Sequence, residues 1–335
     1  MILVTGANGL VGSYLCRYLL MQGQQVRGLK RTGSDLRLIA DIKDKIEWVE
    51  GDILDVMSIE DAMTGIEQVY HCAAYISYSK KDEQMLMNVN VQGTANVVNA
   101  AIEKKIQKLI YISSIAALGR TGKDNEIINE ITPWDRKTMT SDYSLSKFLA
   151  EREVWRGIAE GLNAVILNPS IIVGAGNWNS GSCRLFSTVY NGFKFYTEGV
   201  TGYVDVRDVV KIAFQLMQNE VKGQRFIICS ENLSYQEFLS GIAKELNVKG
   251  PTIKAGKFLS GLAWRAELLK SLFTGKVPQV TKQTSRIANK KVFFDHNKIA
   301  ALLNYEFIPV KKSIADTAAS FKKEVETKLF YPVSF

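Results

Sequence analysis

Apolar positions along this chain alternate between two rhythms. Short β-branched runs at residues 2–5, 25–29 and 46–50 surround a longer amphipathic segment at 10–21. That alternation predicts βαβ units built around a parallel sheet. Further strands are expected at 68–72, 108–113 and 164–168, with helices at 84–104 and 141–160. Right-handed crossovers then wind both faces of one sheet, giving a doubly wound α/β architecture. Beyond Pro169 the pattern turns irregular, and Gly174, Gly176, Gly181, Gly192, Gly199 and Gly202 mark loops between short elements. A strand at 224–229 is expected to rejoin the main sheet, followed by helices at 235–246, 258–273 and 314–328.

Composition narrows the picture. A chain of 335 residues exceeds one average core and suits a large domain with a smaller lobe attached. With 46% hydrophobic and 23% charged residues it has the make-up of a packed globular protein. The apolar runs at 109–119 and 164–176 are interrupted by Ser113, Ser114, Asn168 and Pro169, and neither is long enough for a bilayer. Residues 1–6 already read as strand and turn instead of a signal sequence, so the expected location is cytoplasmic, with no membrane partner. Cys16, Cys72, Cys183 and Cys229 lie far apart, so neither a disulfide nor a metal site is expected. The formal charge of +8 is scattered, densest at 276–291, which argues against nucleic acid and suits an anionic dinucleotide or substrate. Only two histidines are present, His71 and His296, so a histidine triad or histidine metal site is nearly excluded.

The segment Thr5-Gly6-Ala7-Asn8-Gly9-Leu10-Val11-Gly12 follows the first strand and opens the first helix. Gly6 permits a tight turn, Gly9 lets amides approach a pyrophosphate, and Gly12 allows close packing of helix on sheet. The helix N-terminus then attracts the phosphates. Between strand and helix this is a dinucleotide-binding turn, and the fold expected is a Rossmann domain. Residues 1–169, with 203–230 returning to them, form that domain, and 170–202 with 231–335 form a mostly helical substrate-binding lobe. Where an NAD-specific protein would often carry an acid, the second strand ends in Lys30 and Arg31. Those cations suit the 2′-phosphate of NADP(H), favouring it over NAD(H), with Arg31 the better fork. Asp52 and Ile53, after the third strand, are placed to meet the adenine amine and ring, although Asp52 also lies near a helix start at Ser58.

Tyr143 and Lys147 lie four apart in a helical segment, so they share a face. A phenol of pKa roughly 10 exchanges protons near neutrality only if its phenolate is stabilised, which Lys147 can do. Ser113 and Ser114 end a strand of the parallel sheet, where ligands of open α/β sheets bind. The pleat turns one of them to the cleft, and the pattern leaves open which one.

Together, residues 5–12, the Ser113-Ser114 strand end, Tyr143-Ser144-Leu145-Ser146-Lys147 and the Phe148-Leu149-Ala150-Glu151 that follows resemble the extended short-chain dehydrogenase/reductases, the NAD-dependent epimerase/dehydratase family. Asn90-Val91-Gln92-Gly93-Thr94, Asn168-Pro169-Ser170 and Tyr203 to Asp208 are similar to further segments of that family, and Asp295 to Lys298 with Asn304 resembles its usual ending. The resemblance implies that Ser114, Tyr143 and Lys147 are the catalytic serine, tyrosine and lysine. It also implies that Cys72, Ala73, Ala74, Asn90, Pro169 and Ser170 flank the cofactor, and that His71 is structural. Ser114-Ile115-Ala116 replaces the dehydratases' Thr-Asp-Glu, and Ser144 stands where many epimerases have glycine. The run is closest to dihydroflavonol-4-reductase-like and 3β-hydroxysteroid-dehydrogenase-like members. The expected reaction is hydride exchange between nicotinamide and the carbonyl or secondary alcohol of a small organic molecule. Tyr75, Tyr78, Trp178, Phe186 and Tyr190 are candidates for lining a cleft. Two rivals are a nucleotide-sugar epimerase with tightly bound NAD and a non-catalytic NADP(H)-binding redox sensor. A homodimer through the helices at 84–104 and 141–160 is what the family suggests.

Overall fold

A computed structural model describes residues 1–123, 125–138, 141–256 and 287–335. The helix expected at 258–273 and most of the basic stretch 276–291 fall outside them. The chain runs β1 (Ile2–Thr5), α1 (Leu10–Met21), β2 (Val26–Lys30), β3 (Glu47–Glu50), α2 (Val56–Ala62), β4 (Gln68–His71), α3 (Glu83–Leu86), α4 (Gly93–Glu103) and β5 (Lys108–Ile112). It continues through β6 (Glu126–Ile128), α5 (Asp142–Ala159), β7 (Ala164–Pro169), β8 (Ile171–Val173), α6 (Arg184–Tyr190), β9 (Phe195–Tyr196), β10 (Val200–Asp205), α7 (Val206–Gln218) and β11 (Gln224–Ile228). The last elements are β12 (Glu231–Ser234), α8 (Tyr235–Leu246), β13 (Ile253–Lys254), β14 (Val292–Phe294), α9 (Asn297–Leu303) and α10 (Val310–Thr327).

Seven strands make one parallel sheet in the order β11-β7-β5-β4-β1-β2-β3. The strand at Gln224–Ile228 does rejoin it, at the edge beside β7. Helices cover both faces, so the inner strands are buried throughout and read as continuous apolar runs. The two-residue strand period sorts them between two cores. Ile2, Val4, Ile110, Ile112, Val165 and Leu167 join the core under α1 and α7, whereas Leu3, Leu109, Tyr111, Ala164 and Ile166 join the core under α2, α4 and α5. Strand order reverses between β1 and β4, which creates the crevice where ligands of such sheets bind.

Four departures from the periodic reading have physical causes. The single helix expected at 84–104 is broken by a π-turn at Met87–Gln92, where Asn90 leaves the helix surface to bond a neighbouring loop. Helix α10 begins at Val310, earlier than its apolar stripe suggests, with Pro309 as the N-cap whose carbonyl accepts from the Lys312 and Ser313 amides at 2.9 and 3.1 Å. The irregular region holds β8, α6, β9 and β10, elements of two to seven residues that are too short to show a period. Helix α7 follows β10 directly and is capped by Asp205, whose side chain accepts from the Arg207 amide. Asn304 closes α9 at φ +47°, the left-handed geometry for which its place in the pattern called. Among the described residues, no helix is long and apolar enough to cross a membrane.

Candidate active site

The glycine turn lies at the reversal point. Gly6 adopts φ +67°, and a Cβ there would stand 2.7 Å from the Ala73 amide nitrogen, so the turn tolerates no side chain. At Gly12 a Cβ would stand 2.1 Å from the Gly6 carbonyl oxygen. The first turn of α1 therefore folds onto the glycine turn itself, not onto the sheet. Gly9 donates its amide to the Gly6 carbonyl at 2.9 Å and is the helix N-cap, with no side chain capping the first-turn amides. An anion is what such an end accepts. Asn8 ties the turn to the carbonyl of Asp35, and Leu10 and Val11 pack half-buried beside it. Cys72 and Ala73 run along the turn, their amides donating to Thr5 at 3.2 and 3.3 Å, and Ala74 follows at the surface. His71 is fully buried between the Thr5 and Thr94 hydroxyls, at 2.7 and 3.0 Å, and burial drives its pKa down to about 3. It is a neutral structural ring.

Lys30 and Arg31 separate in the structure. Lys30 is engaged by Glu50 of the adjacent strand at 2.8 Å, because the parallel register sets the two residues opposite each other. Lys30 thus has a carboxylate partner, in a pair whose acid is exposed. Arg31 is exposed and makes no ion pair among the described residues. Asp52 does not cap α2. Asp55 does so, accepting from the Met57 amide at 3.1 Å, while the Asp52 carboxylate accepts from the Leu54 amide at 3.0 Å. Ile53 is buried against Gly93, where a Cβ would stand 2.5 Å from its Cδ1.

Ser141 caps α5, accepting from the Ser144 amide at 3.0 Å, and starts the helix so that Tyr143 and Lys147 point inward together. The pleat separates the two serines at the end of β5. Ser114 lies near enough to the Tyr143 phenol to hold its pKa down and accepts from the Ala116 amide at 3.1 Å, whereas Ser113 donates to Glu151 at 2.9 Å. Burial raises the Tyr143 pKa well above its usual value, Tyr78 adds to this and Ser114 opposes it, so the phenol carries its proton at neutral pH. Tyr78 meets Tyr143 edge-on with ring centroids 5.6 Å apart. Lys147 donates to the Tyr111 hydroxyl at 2.9 Å and to the Ile112 carbonyl at 3.1 Å, not to Tyr143. Its burial pulls the ammonium down to about 8, against the pull of Glu151.

Behind Lys147, Glu151 is buried and accepts from Ser113, Asn168, Trp155 and, at 2.9 Å, Arg225. Asn90 accepts from the Tyr75 amide at 2.7 Å and donates to the Tyr75 carbonyl and to Ser146, both at 2.9 Å, clamping that loop to α5. Pro169 ends β7, and Ser170 is buried next to it, its amide bonded to Ile228. Of the aromatic candidates, Tyr78 reaches Tyr143. Trp178, Phe186 and Tyr190 do not line a cleft with it, because they pack with one another and Phe321 beneath α10, with Trp178 donating to Glu324 at 2.7 Å. Sequence reasoning missed Tyr111, Glu151 and Arg225. Glu151 carried a signal, lying one helical turn beyond Lys147. All four cysteines are free, and no group of three or more His, Cys, Asp or Glu suited to a metal occurs among the described residues.

A glycine turn at the switch point beside a half-buried Ser114 and a buried Tyr143, with a lysine one turn on, defines a nicotinamide-dependent enzyme of the doubly wound class. Residues 2–229 match the model of the NAD dependent epimerase/dehydratase family, and the chain belongs to that family. It is similar to sterol demethylase protein B of Methylococcus capsulatus, 27% identical over 329 residues that cover 96% of this chain and 98% of that protein. It is likewise similar to a putative dihydroflavonol 4-reductase of Synechocystis, 29% identical over 328 residues, 95% and 94% of the two chains. The crystal structure of gox2253 superposes with a TM-score of 0.82 at 30% identity, over 98% of this chain and 99% of that one. The protein is an NAD(P)-dependent oxidoreductase of the extended short-chain type.

Proposed function

We propose that the protein reduces a ketone or aldehyde of a small organic substrate with NADP(H), or runs the reverse oxidation. The observation that carries this reading is the buried Tyr143 phenol with buried Lys147 one turn on in the same helix, at the strand end that carries Ser114. Ser114 holds the carbonyl oxygen, and Tyr143 donates its proton to that oxygen as the carbonyl carbon is reduced. Lys147, whose ammonium rests on Tyr111, would hold the nicotinamide ribose, and its positive charge favours the phenolate that remains. When bound, the nicotinamide supplies the hydride. The uncapped first turn of α1, with Gly6, Asn8, Gly9, Leu10, Val11 and Gly12, suits the pyrophosphate. Asp52 and Ile53 suit the adenine, and Cys72, Ala73, Ala74, Pro169 and Ser170 the nicotinamide side. Asn90 acts as a positioning residue through Tyr75 and Ser146.

Arg31 selects NADP(H), its guanidinium being free to fork onto a 2′-phosphate. Residues 1–169 with 203–230 hold the cofactor, and 170–202 with 231–335 select the substrate. The relatives named for a sterol and a dihydroflavonol lend support to a ring-bearing substrate. Two chains pair through the faces of α4 and α5, and the enzyme works in the cytoplasm.

The test mixes the full chain with NADPH or NADH and a panel of ketones, aldehydes and sugar nucleotides, following absorbance of the reduced nicotinamide. NADPH consumption by a carbonyl compound is expected. Epimerisation of a sugar nucleotide without net oxidation, by protein purified with NAD already bound, would overturn the reading in favour of an epimerase. Tight NADPH binding with no turnover of any carbonyl would instead make the chain a sensor.

A further inference from the structure

The parallel registers set Thr5 of β1, His71 of β4 and Tyr111 of β5 side by side across the sheet, starting one residue before Gly6. All three are buried. The Thr5 hydroxyl accepts from the Ala73 amide at 3.3 Å and meets His71 Nδ1 at 2.7 Å. The other ring nitrogen meets the Thr94 hydroxyl at 3.0 Å, so the imidazole is pinned on both sides. Tyr111 stacks on that ring, with centroids 5.3 Å apart and planes 23° from parallel.

Lys147 stands at the end of this row. Tyr111 is 1% exposed, and a side chain needed there only for packing would be phenylalanine, because a buried hydroxyl is costly unless it is bonded. Its hydroxyl accepts from the Lys147 ammonium at 2.9 Å, and the Ile112 carbonyl accepts from the same ammonium at 3.1 Å. The nitrogen also lies 4.6 Å from the centroid of the Tyr111 ring. A lysine ammonium carries three donors. Two are directed at Tyr111 and Ile112, which fixes the direction of the third and leaves it for a ligand. Without the Tyr111 hydroxyl the ammonium would pivot on a single carbonyl.

The other titratable groups around Lys147 do not aim it. Tyr143 lies one turn back on α5, and Glu151, one turn on, attracts the ammonium but is engaged by Ser113, Asn168 and Arg225. From the end of β4, His71 is neutral, its pKa brought down to about 3 by burial, and burial pushes the Cys72 thiol up to about 12.

We infer that Tyr111 is a positioning residue for Lys147, and that the Thr5–His71–Tyr111 row fixes the ammonium relative to the glycine turn. The inference rests on the reading of Lys147 as the group that holds the nicotinamide ribose and favours the phenolate, and adds what aims it.

Tyr111→Phe keeps the ring on His71 and removes only the hydroxyl. Full-length protein with lysine labelled by ¹³C at Cε reports the ammonium by NMR, the Lys147 signal being the one that Lys147→Met deletes. From the worth of a hydrogen bond to a charged group, Lys147 in Tyr111→Phe should lose its proton about 1–2 pH units lower than in wild type. In turnover of a carbonyl with NADPH, the alkaline limb of kcat should move down with it, while KM for the carbonyl changes little. Should the phenylalanine variant not fold, the wild type decides through the NOE expected between the Lys147 ε-protons and the Tyr111 ring. A titration midpoint that stays put, an active enzyme whose alkaline limb does not follow the midpoint, or a wild type without that NOE would overturn the inference. The NMR readouts need no turnover, so a protein that reduces no carbonyl yet shows the shifted midpoint fails the reductase reading alone.

Discussion

Replacing Lys147 by methionine removes a charge that the fold holds against its preference. The side chain is 1% exposed, and burial brings its pKa down to about 8 from the 10.5 of an unstrained lysine. Between those values the unfolded chain binds a proton that the native state does not, so wild-type stability rises with pH across that window. Below about pH 8 both states are protonated and the full penalty, about 3 kcal/mol, is present. Methionine escapes that penalty but leaves the Tyr111 hydroxyl and Ile112 carbonyl without their donor, at about 1–3 kcal/mol. Near pH 7 the two effects offset, and Lys147→Met should be close to wild type in stability while inactive as a reductase. By about pH 9.5 the wild type should have gained about 2 kcal/mol on the variant, since all other titrating groups are common to both. Urea unfolding of both proteins at a series of pH values measures the gap. A gap that stays flat from pH 7 to 9.5 would refute the claim that the fold depresses this ammonium.

Other outcomes follow from single residues. Gly12→Ala drives a methyl into the Gly6 carbonyl and should cost about 1–3 kcal/mol, with the stabilisation that NADP(H) gives in a thermal melt also lost. Melting that still rises with cofactor as in wild type would contradict it. Arg31→Ala should raise KM for NADPH roughly tenfold or more and leave NADH unaffected, whereas Lys30→Ala, already bound to Glu50, should change neither by much. Asp208 is held by Tyr305 and the Ile308 amide, and burial raises its pKa to about 7. The native state thus keeps a proton that the unfolded chain loses near pH 4, so wild-type stability should fall relative to Asp208→Asn as pH climbs from about 4 to about 7. Melting curves of the two proteins at both ends of that range give the sign.

What the sequence made legible was local. Strand period, the glycine turn and the four-residue spacing of Tyr143 and Lys147 are all set by neighbours along the chain, and the sheet and helices carry them as read. Whether Ser113 or Ser114 met the tyrosine depended on which face Glu151 covers, a contact between β5 and α5 that no spacing reveals. The same holds for Lys30, which an acid 20 residues away on β3 engages, and for Trp178, whose partner Glu324 lies 146 residues on.

The central claim is that Tyr143 is the proton donor of a carbonyl reduction. Its most direct test is Tyr143→Phe, which keeps the ring against Tyr78 and removes only the hydroxyl. Steady-state turnover of a carbonyl compound that the wild type reduces, together with the Kd for NADPH, should be measured on both proteins. The account predicts a fall in kcat of about a hundred- to ten-thousandfold with Kd unchanged. Near-normal kcat in the phenylalanine variant, or equal loss of NADPH binding and turnover, would contradict it.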